Sequence, residues 1–324
     1  MKPRDSLRRI AMKLLCTLLG IILAVMLGGT LIFRHYLNQI HYTQPPETSG
    51  SSLQAVFSAI PLGNAAGDRI GGPGSGILNF LLIGQDAREN DEQSRSDSMI
   101  LCSYNKKTNT LVMTSFLRDL YVEIPGHGSN RINAAYSFGG TKLLRSTLEH
   151  NFGLHIDGSI EVDFSHFSEI IDHVGGVEIH LRADEARIIN SQTGSSLEEG
   201  MQKLDGAQTL VYSRIRNLDT DGDFSRTERQ RKVINALVDS FRGIGVAELT
   251  PVLNDLLPML TTDLNPGQIL LCALEVVPHL SDMETRSQRI PADGTFSDKN
   301  IDGMAVLVAD MAAQRQHLRS TLIG

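Results

Sequence analysis

An uncharged, apolar run near the amino terminus is the strongest constraint on how this chain can fold. Residues 14–33 include no charged side chain, and only Thr17 and Thr30 among them carry a hydroxyl group. A helix of about 20 residues is long enough to span the hydrocarbon core of a bilayer. The sequence therefore predicts one transmembrane helix, with the remainder of the chain folding outside the bilayer.

The charges beside this run predict its orientation. Residues 1–13 carry several Lys and Arg residues against one acidic residue, Asp5, whereas Arg34 is followed by a long uncharged stretch. Cytoplasmic flanks of membrane helices are enriched in Lys and Arg. We therefore expect a single-pass cell-membrane protein with a cytoplasmic N-terminus and an extracytoplasmic domain. A cleaved signal peptide is the alternative, although its apolar core is usually shorter and no A-x-A-like site follows.

Glycine and serine mark the segment after the run as a linker. They recur at 48–52, and residues 71–76 read GGPGSG. Such composition is typical of flexible connections. We accordingly divide the chain into a cytoplasmic tail (1–13), a transmembrane helix (14–33), an extracytoplasmic stalk (34–76) and one folded domain (77–324) whose motifs lie within 77–237.

Alternating strand-like and helix-like patterns follow the linker. Apolar runs of strand length occur at 77–83, 98–104, 111–116, 159–164 and 177–181, and helical patterns occur at 134–138, 141–151, 165–173, 206–214 and 225–241. Ser225 and Glu228 have capping-box spacing, which predicts a helix start there. Further helical runs, at 252–260 and 302–318, complete the domain. The alternation predicts an α/β fold of three α-β-α layers, with a mixed central sheet flanked by helices.

Arginine and aspartate residues accumulate beside these elements. The planar guanidinium group binds phosphate oxygens bidentately, and paired carboxylates hold a hard cation that shares those oxygens. The mixture indicates a site for a pyrophosphate and a metal ion, whereas surface ion pairs are the alternative for any single residue. The residues concerned are Asp86, Arg88, Arg95, Asp97, Arg118, Asp119, Arg131, Arg214, Arg216, Asp223, Arg226 and Gln230.

Other classes of site find little support in the sequence. It contains no G-x-x-x-x-G-K-[ST] loop, no H-E-x-x-H helix and no G-x-S-x-G elbow. The net charge of −7 argues against nucleic acid as a partner. Cys102 and Cys272 are the two cysteines beyond the apolar run, and Cys102 is expected to be a buried thiol rather than half of a disulfide.

Seven segments, in this order and spacing, resemble the LytR-CpsA-Psr (LCP) family. They are ILNFLLIGQDAR at 77–88, RSDS at 95–98, FLRD at 116–119, RINAAY at 131–136, LDG at 204–206, YSRIR at 212–216 and GDFSRTERQ at 222–230. The short cytoplasmic tail, single span and outer domain are also the family's arrangement. Two positions depart from the pattern, because Arg131 replaces the Lys of many members and Ser225 stands where Gly is more common.

The resemblance implies an envelope ligase. Such a phosphotransferase moves a glycopolymer, for example wall teichoic acid or capsular polysaccharide, from an undecaprenyl-pyrophosphate carrier to peptidoglycan and releases undecaprenyl phosphate. The implied partners are the lipid-linked glycopolymer, peptidoglycan and the membrane, without nucleic acid. Two alternatives stay open: a polyprenyl-pyrophosphate hydrolase that uses water as nucleophile, and a non-enzymatic glycopolymer-binding or regulatory protein.

The resemblance also implies a role for each matched residue. Asp86 and Asp97 correspond to magnesium-associated aspartates, with Mn²⁺ as the alternative ion. Asp119 and Asp223 are the alternative general bases, and the lipid tail is expected in an apolar groove between the sheet and the helices. Arg229 and Arg231 are expected to tolerate substitution better, since at least one faces away from the site. The implied pyrophosphate-binding residues are Arg88, Arg95, Arg118 (also catalytic), Arg131, Arg214, Arg216, Arg226 and Gln230.

Overall fold

The computed structural model describes residues 41–42, 69–85, 96–216, 218, 222–242, 256–265, 268–269, 272 and 275–323. They belong to one compact unit, residues 41–324. The predicted cytoplasmic tail, transmembrane helix and most of the stalk lie outside the described residues. Within these ranges, no helix has the length and apolar character that a membrane span requires.

Thirteen described strands and six described α-helices build the domain. The strands are β1 (His41–Tyr42), β2 (Ile77–Gln85), β3 (Ser96–Asn105), β4 (Thr110–Phe116), β5 (Tyr121–Ile124), β6 (Gly128–Arg131), β7 (Gly158–Asp163), β8 (Val177–Leu181), β9 (Gly200–Leu204), β10 (Thr261–Thr262), β11 (Glu284–Ile290), β12 (Phe296–Ile301) and β13 (Met304–Ala309). The helices are α1 (Ile132–Phe152), α2 (Phe164–His173), α3 (Ala183–Thr193), α4 (Gly206–Arg214), α5 (Asp223–Ser240) and α6 (Met311–Ile323). Short 3₁₀ helices lie at Leu257–Met259 and Val277–Asp282.

Seven strands form the central sheet, in the order β1-β10-β7-β2-β3-β4-β11. The sheet is mixed, because β2, β3 and β4 pair antiparallel while β7 runs parallel to β2 and β11 runs parallel to β4. Parallel pairing places the C-terminal ends of β4 and β11 at the same edge of the sheet. That edge carries the candidate site described below.

Helices cover both faces of this sheet, which confirms the predicted α/β class with a mixed central sheet between helices. On one face, Leu81 and Ile83 of β2 join a buried cluster with Leu148 of α1 and Leu318 of α6. Side chains alternate along a strand, so Leu82 points to the opposite face, where it lines a cavity with residues of α2 and α5. A second buried cluster connects those helices to α3, α4 and the β8–β9 hairpin.

Local capping signals account for several helix ends. Asp205 precedes α4, and its carboxylate accepts a hydrogen bond of 2.8 Å from the backbone N–H of Gln208. Gly153 ends α1 in the left-handed conformation, because glycine adopts a positive φ without a Cβ clash. Gly139 and Gly140 are non-helical and bend α1 between the two predicted helical runs.

The C-terminal region departs from the predicted helix at 302–318. Met304–Ala309 is strand β13, which pairs antiparallel with β12, and helix α6 begins only at Met311. Asp302 and Gly303 both have positive φ, 51° and 81°, as the two central residues of a type I′ hairpin turn require. The Asp-Gly dipeptide was therefore the local signal for a hairpin, and the helical interpretation was wrong there.

The folded domain extends upstream of the predicted boundary near Ile77. Ile70 is only 2% exposed and belongs to the main core. Its backbone N–H donates to the carbonyl of Gly153 at 2.8 Å, and its carbonyl accepts from the N–H of His155 at 2.9 Å. The end of the predicted stalk is thus part of the packed domain.

Cys102 and Cys272 are both free thiols, as expected for Cys102. Burial raises the pKa of the Cys102 thiol to about 12. A thiol in such surroundings stays protonated and behaves as a small apolar side chain.

Candidate phosphate site at the sheet edge

A chain of alternating arginine and aspartate side chains lies where β4 ends. Arg118 Nε is 3.6 Å from Asp119 Oδ2 and 3.7 Å from Asp223 Oδ1. Arg131 Nε is 3.3 Å from Asp119 Oδ1, and Arg226 Nη2 is 2.7 Å from Asp223 Oδ1. The structure therefore brings together five of the predicted residues from three separate parts of the sequence.

The main-chain topology explains this convergence. Arg118 and Asp119 follow β4, Arg131 closes the β5–β6 hairpin and precedes α1, and Asp223 opens α5. Arg131 is held further by two hydrogen bonds, of 3.0 and 2.7 Å, that its Nε and Nη2 donate to the carbonyl of Ala305 in β13. Each charged side chain thus sits at the end of an element packed into the core.

The net charge of this row of arginine and aspartate side chains suits an anion. Three guanidinium groups face two carboxylates, which leaves one net positive charge. Arg226 is only 3% exposed, whereas the side chains of Arg118, Asp119 and Arg131 are about one quarter to one third exposed. Phosphate oxygens can therefore reach the outer members from solvent, with Arg226 behind them.

The N-terminus of α5 adds backbone donors to the site. Helix α5 begins at Asp223, after Gly222 with φ 38°, and not at the predicted capping box. The Glu228 carboxylate instead pairs with Lys232 at 2.8 Å, one turn further along the helix. The capping-box interpretation of Ser225 was therefore wrong, because the turn at Gly222 starts the helix earlier. The first N–H groups of a helix attract anions.

An apolar cavity of about 300 Å³ opens one helical turn away from Arg226. Gln230 lines it, and the Gln230 Oε1 accepts a hydrogen bond of 3.0 Å from the Ser98 hydroxyl of β3. The cavity lies between the sheet and helices α2 and α5, where the resemblance implied a lipid groove. Its other lining residues are Leu82, Ile83, Gly84, Ile100, Ile160, Val162, Phe164, Phe167, Ile170, Ser213, Val233, Ile234, Leu237 and Leu260.

Arg214 and Arg216 line a second cleft, of about 430 Å³, between α3 and α4. The guanidinium carbon of Arg214 lies 4.7 Å from the centre of the Phe164 ring, and Phe164 also lines the apolar cavity. Ser213 borders that cavity as well. The C-terminal end of α4 therefore separates the cleft from the cavity, with Arg214 at the junction.

The remaining predicted site residues fall on segments that the structure leaves undescribed. Asp86, Arg88 and Arg95 lie outside the described residues, and of Asp97 only the backbone, in β3, is described. The register pairs Gln85, directly before Asp86, with Ser96, directly before Asp97. Among the side chains that are described, no group of three or more His, Cys, Asp or Glu residues is arranged to hold a metal ion. The metal-binding role of the two aspartates remains a prediction.

Sequence reasoning missed a buried carboxylate at the end of β7. Glu161 accepts a hydrogen bond of 2.9 Å from the Tyr136 hydroxyl and further bonds from Gln85 and Thr141. Burial, and then the negative charge of Glu161, raise the pKa of Tyr136 above its usual range. This cluster ties the end of β2 to the first half of α1, and its one sequence signal was the tyrosine of the RINAAY segment.

Arg229 and Arg231 do not lie on an exposed face of α5, as a tolerant position would. Arg229 is 3% exposed, and its Nε donates to Glu185 Oε1 of α3 at 2.8 Å. Arg231 is 6% exposed, and its Nη1 donates to the Ser115 hydroxyl at 2.7 Å. The two side chains have other partners than the Arg226–Asp223 pair, but both pack inside the domain, so burial does not favour the expected tolerance.

The fold and this site define an α/β domain whose arginine–aspartate edge adjoins an apolar cavity. The model of the LytR_cpsA_psr family matches residues 67–320, most of the domain. The chain therefore belongs to the LytR-CpsA-Psr family, which confirms the resemblance seen in the sequence.

Two curated relatives cover similar shares of both chains. The regulatory protein MsrR of Staphylococcus aureus (strain Mu50 / ATCC 700699) is 33% identical over 240 residues, 72% of this chain and 71% of the relative. The polyisoprenyl-teichoic acid–peptidoglycan teichoic acid transferase TagT of Bacillus subtilis (strain 168) is 30% identical over 220 residues, 66% and 67% of the two chains. Among solved structures, TagT bound to LI-WTA is 26% identical with a TM-score of 0.64, covering 80% of this chain and 95% of that one.

Proposed function

We propose that this protein transfers a glycopolymer from an undecaprenyl-pyrophosphate carrier to peptidoglycan, forming a phosphodiester link and releasing undecaprenyl phosphate. One observation carries the proposal: α5 presents Arg226 to the arginine–aspartate chain at the end of β4 and, one turn later, Gln230 to the apolar cavity. A lipid pyrophosphate needs those two environments side by side. The transferase TagT, a relative by sequence and by structure, is consistent with this assignment.

The cavity would hold part of the carrier's apolar tail. Its lining is almost wholly aliphatic and aromatic, and burial of each methylene group contributes about 0.8 kcal/mol. The pyrophosphate would then sit at the cavity mouth, near Gln230 and Arg214. From there its oxygens would reach the guanidinium groups of Arg118 and Arg226.

The reaction on this surface is a phosphoryl transfer. A hydroxyl oxygen of peptidoglycan attacks the phosphorus that bears the sugar, and the bond from that phosphorus to the bridging oxygen breaks. The bridging oxygen leaves on undecaprenyl phosphate, and the hydroxyl proton passes to Asp119 or Asp223. Such transfers depend on positioning and on stabilising the charge of the phosphoryl oxygens, which Arg118 and Arg226 would supply.

Asp86 and Asp97 are the residues that would hold Mg²⁺, with Mn²⁺ as the alternative. The register that pairs Gln85 with Ser96 brings the adjoining backbone of β2 and β3 together, and carboxylate oxygens suit a hard cation. When bound, the ion would neutralise charge on the pyrophosphate oxygens. We further propose that residues 14–33 anchor the chain in the cell membrane, with the domain outside the cytoplasm beside its lipid substrate.

The decisive test uses the full chain in detergent micelles. The protein is incubated with a polyprenyl-pyrophosphate-linked sugar, Mg²⁺ and a peptidoglycan oligomer, and the products are identified by mass spectrometry. We expect a sugar-phosphate–peptidoglycan adduct that Arg118→Ala abolishes and that Arg286→Ala, an exposed arginine on β11, leaves unchanged.

Two other outcomes would replace the proposal. Sugar phosphate released without an adduct would identify a polyprenyl-pyrophosphate hydrolase. Tight binding of the lipid without turnover would indicate a binding or regulatory protein, the alternative that the name of MsrR favours.

A further inference from the structure

We propose that Arg231 and Arg289 form a second oxyanion-binding subsite, on the β4–β11 side of α5, which takes an anionic group of the substrate other than the pyrophosphate. The proposal deepens the proposed function and rests on it for the identity of the substrate. It concerns two arginines that none of the matched segments assigns to phosphate binding.

Strand register and one hydrogen bond place Arg231 and Arg289 next to the same residue, Ser115. Arg231 Nη1 donates to the Ser115 hydroxyl at 2.7 Å, and Ser115 of β4 is the direct partner of Arg289 in β11. Paired residues on neighbouring strands point to the same face of a sheet. Both arginines therefore converge on the face that α5 covers.

Within the described residues, no carboxylate forms a salt bridge with Arg231, unlike the other buried arginines of α5. Arg226 pairs with Asp223 and Arg229 pairs with Glu185, at 2.7 and 2.8 Å. In the described part of the chain, no carboxylate lies within ion-pair distance of Arg231, and its Nε has no hydrogen-bond acceptor. A buried charge without a counter-charge is costly, and strongly perturbed charges cluster at functional sites.

The neighbouring acidic groups do not remove this imbalance. Glu228, one turn before Arg231, pairs with Lys232. Asp293 pairs with Arg289, but the Asp293 side chain is 81% exposed, and the Arg289 Nε also lacks an acceptor among the described residues. Burial lowers the pKa of Arg231 to about 10; the negative charge of Glu228 opposes this shift, and the positive charge of Arg289 adds to it. The two guanidinium groups therefore concentrate positive charge here, which Glu228 and Asp293 compensate only in part.

Two stacked aromatic rings hold Arg289 in place. The guanidinium carbon of Arg289 lies 4.6 Å from the centre of the Phe224 ring, which stacks on Phe296 at 5.7 Å. Stacking fixes the plane of a guanidinium group while its edge can still bind an oxyanion. Arg289 is partly exposed, so a ligand can enter from solvent and displace Asp293, with Arg231 behind it.

The position of the pair decides which anion it can take. Arg231 lies five residues after Arg226 on α5, which is about 7.5 Å along the helix axis and about 140° around it. The two phosphorus atoms of a pyrophosphate share one oxygen and lie much closer together than that. The subsite therefore suits another oxyanion of the same reaction, either a phosphate within the glycopolymer or a carboxylate of the peptidoglycan acceptor.

Binding and stability measurements on matched variants test the proposal. We expect Arg289→Gln and Arg231→Met to lower the affinity of the full chain for an anionic probe about tenfold or more, measured by calorimetry. A phosphodiester-linked glycan oligomer and its phosphate-free analogue test the polymer as source. A peptidoglycan fragment with free or amidated carboxylates tests the acceptor.

Thermal unfolding separates a ligand-binding role from a structural one. Arg231→Met removes an unpaired buried charge, so we expect an unchanged or higher Tm, whereas Arg229→Met breaks a buried pair and should lower it by several degrees. A loss of Tm in Arg231→Met as large as in Arg229→Met, or unchanged affinity for both anionic probes in Arg289→Gln, would overturn the subsite. Adduct formation by the wild type, measured in parallel, reports on the proposed function independently of probe binding.

Discussion

At the scale of single residues, the partners of an arginine separate binding from structural roles. Arg226 and Arg229 lie one turn apart on α5 and are equally buried, yet one pairs with Asp223 at the sheet edge and the other with Glu185 in the interior. Arg118 is partly exposed, and its Nε lies 3.6 and 3.7 Å from the carboxylates of Asp119 and Asp223. Because phosphate oxygens can reach it from solvent, its guanidinium group can bind a phosphate in place of these carboxylates.

Replacing Arg118 by alanine should abolish turnover and leave the domain folded. Its side chain is 28% exposed and packs outside the main core, so the expected change in Tm is small. Loss of one group that stabilises the transition state typically lowers kcat by about 100-fold or more. Initial rates and thermal unfolding on the same preparation check this, and a loss of Tm large enough to explain the inactivity would contradict it.

Glu185→Gln should destabilise the domain strongly, since it removes the negative charge that the buried Arg229 contacts at 2.8 Å. Breaking a buried pair in this way costs about 3–5 kcal/mol of unfolding free energy. Urea unfolding measures the change, with Glu284→Gln as the control because Glu284 forms an exposed pair with Arg286. Equal effects of the two substitutions would show that the Arg229 pair is not buried in solution.

At the scale of elements, short local signals start and stop the helices that carry the site. Asp205 caps α4, which presents Arg214, and the turn at Gly222 starts α5 at Asp223. Asp163 caps α2 by accepting hydrogen bonds from the backbone N–H of His166 at 2.8 Å and from the Ser165 hydroxyl at 2.7 Å. Each cap thereby sets where one wall of the cavity or cleft begins.

Asp163→Ala should lower the unfolding free energy by about 1 kcal/mol, the usual contribution of a helix cap. Burial raises the pKa of Asp163, but hydrogen bonds from His166 and Ser165 outweigh it and hold the net pKa below its usual 3.8. Because the folded-state pKa is depressed, the stabilisation is present above pH 3.8 and is lost as the pH falls through the folded pKa. Urea unfolding of both proteins across this range should show the difference shrinking at low pH, and a difference independent of pH would contradict it.

At the scale of the whole molecule, the central sheet places a charged site and an apolar cavity beside each other. Its edge gathers the arginine–aspartate chain from β4, the β5–β6 hairpin and α5, while one face and two helices enclose the apolar cavity. Helix α5 contributes to both. An amphipathic substrate can therefore bind in a single orientation, with its charged group at the edge and its tail against the sheet.

Filling the cavity should impair binding in proportion to lipid length. Ile170→Phe adds volume inside the cavity without touching the charged edge. We expect it to weaken binding of a long polyprenyl pyrophosphate much more than binding of a short isoprenyl pyrophosphate. Ile188→Phe, in the second cleft, is the control, and it should not weaken binding of the long lipid more than binding of the short one. Equal losses for both lipids in Ile170→Phe would show that the tail binds elsewhere.

Most of the local structure, and the members of the arginine–aspartate chain, could be predicted from the sequence alone. Strand-length apolar runs predicted β2, β3, β4, β7 and β8, and the resemblance named Arg118, Asp119, Arg131, Asp223 and Arg226 from the order and spacing of the motifs. These features depend on residue type and short spacing, so a linear pattern is sufficient to predict them. The Asp302–Gly303 turn was equally local, but the helical interpretation of its surroundings obscured it.

Long-range packing sets which charged residues are buried and which partners they have. Glu185 and Arg229 are 44 residues apart in sequence, and Ser115 and Arg231 are 116 apart, so neither contact can be inferred from periodicity. The same holds for Ile70, whose glycine-rich surroundings resembled a linker although packing against Gly153 and His155 buries it. Burial and pairing depend on which distant segments meet, and long-range strand order sets those meetings.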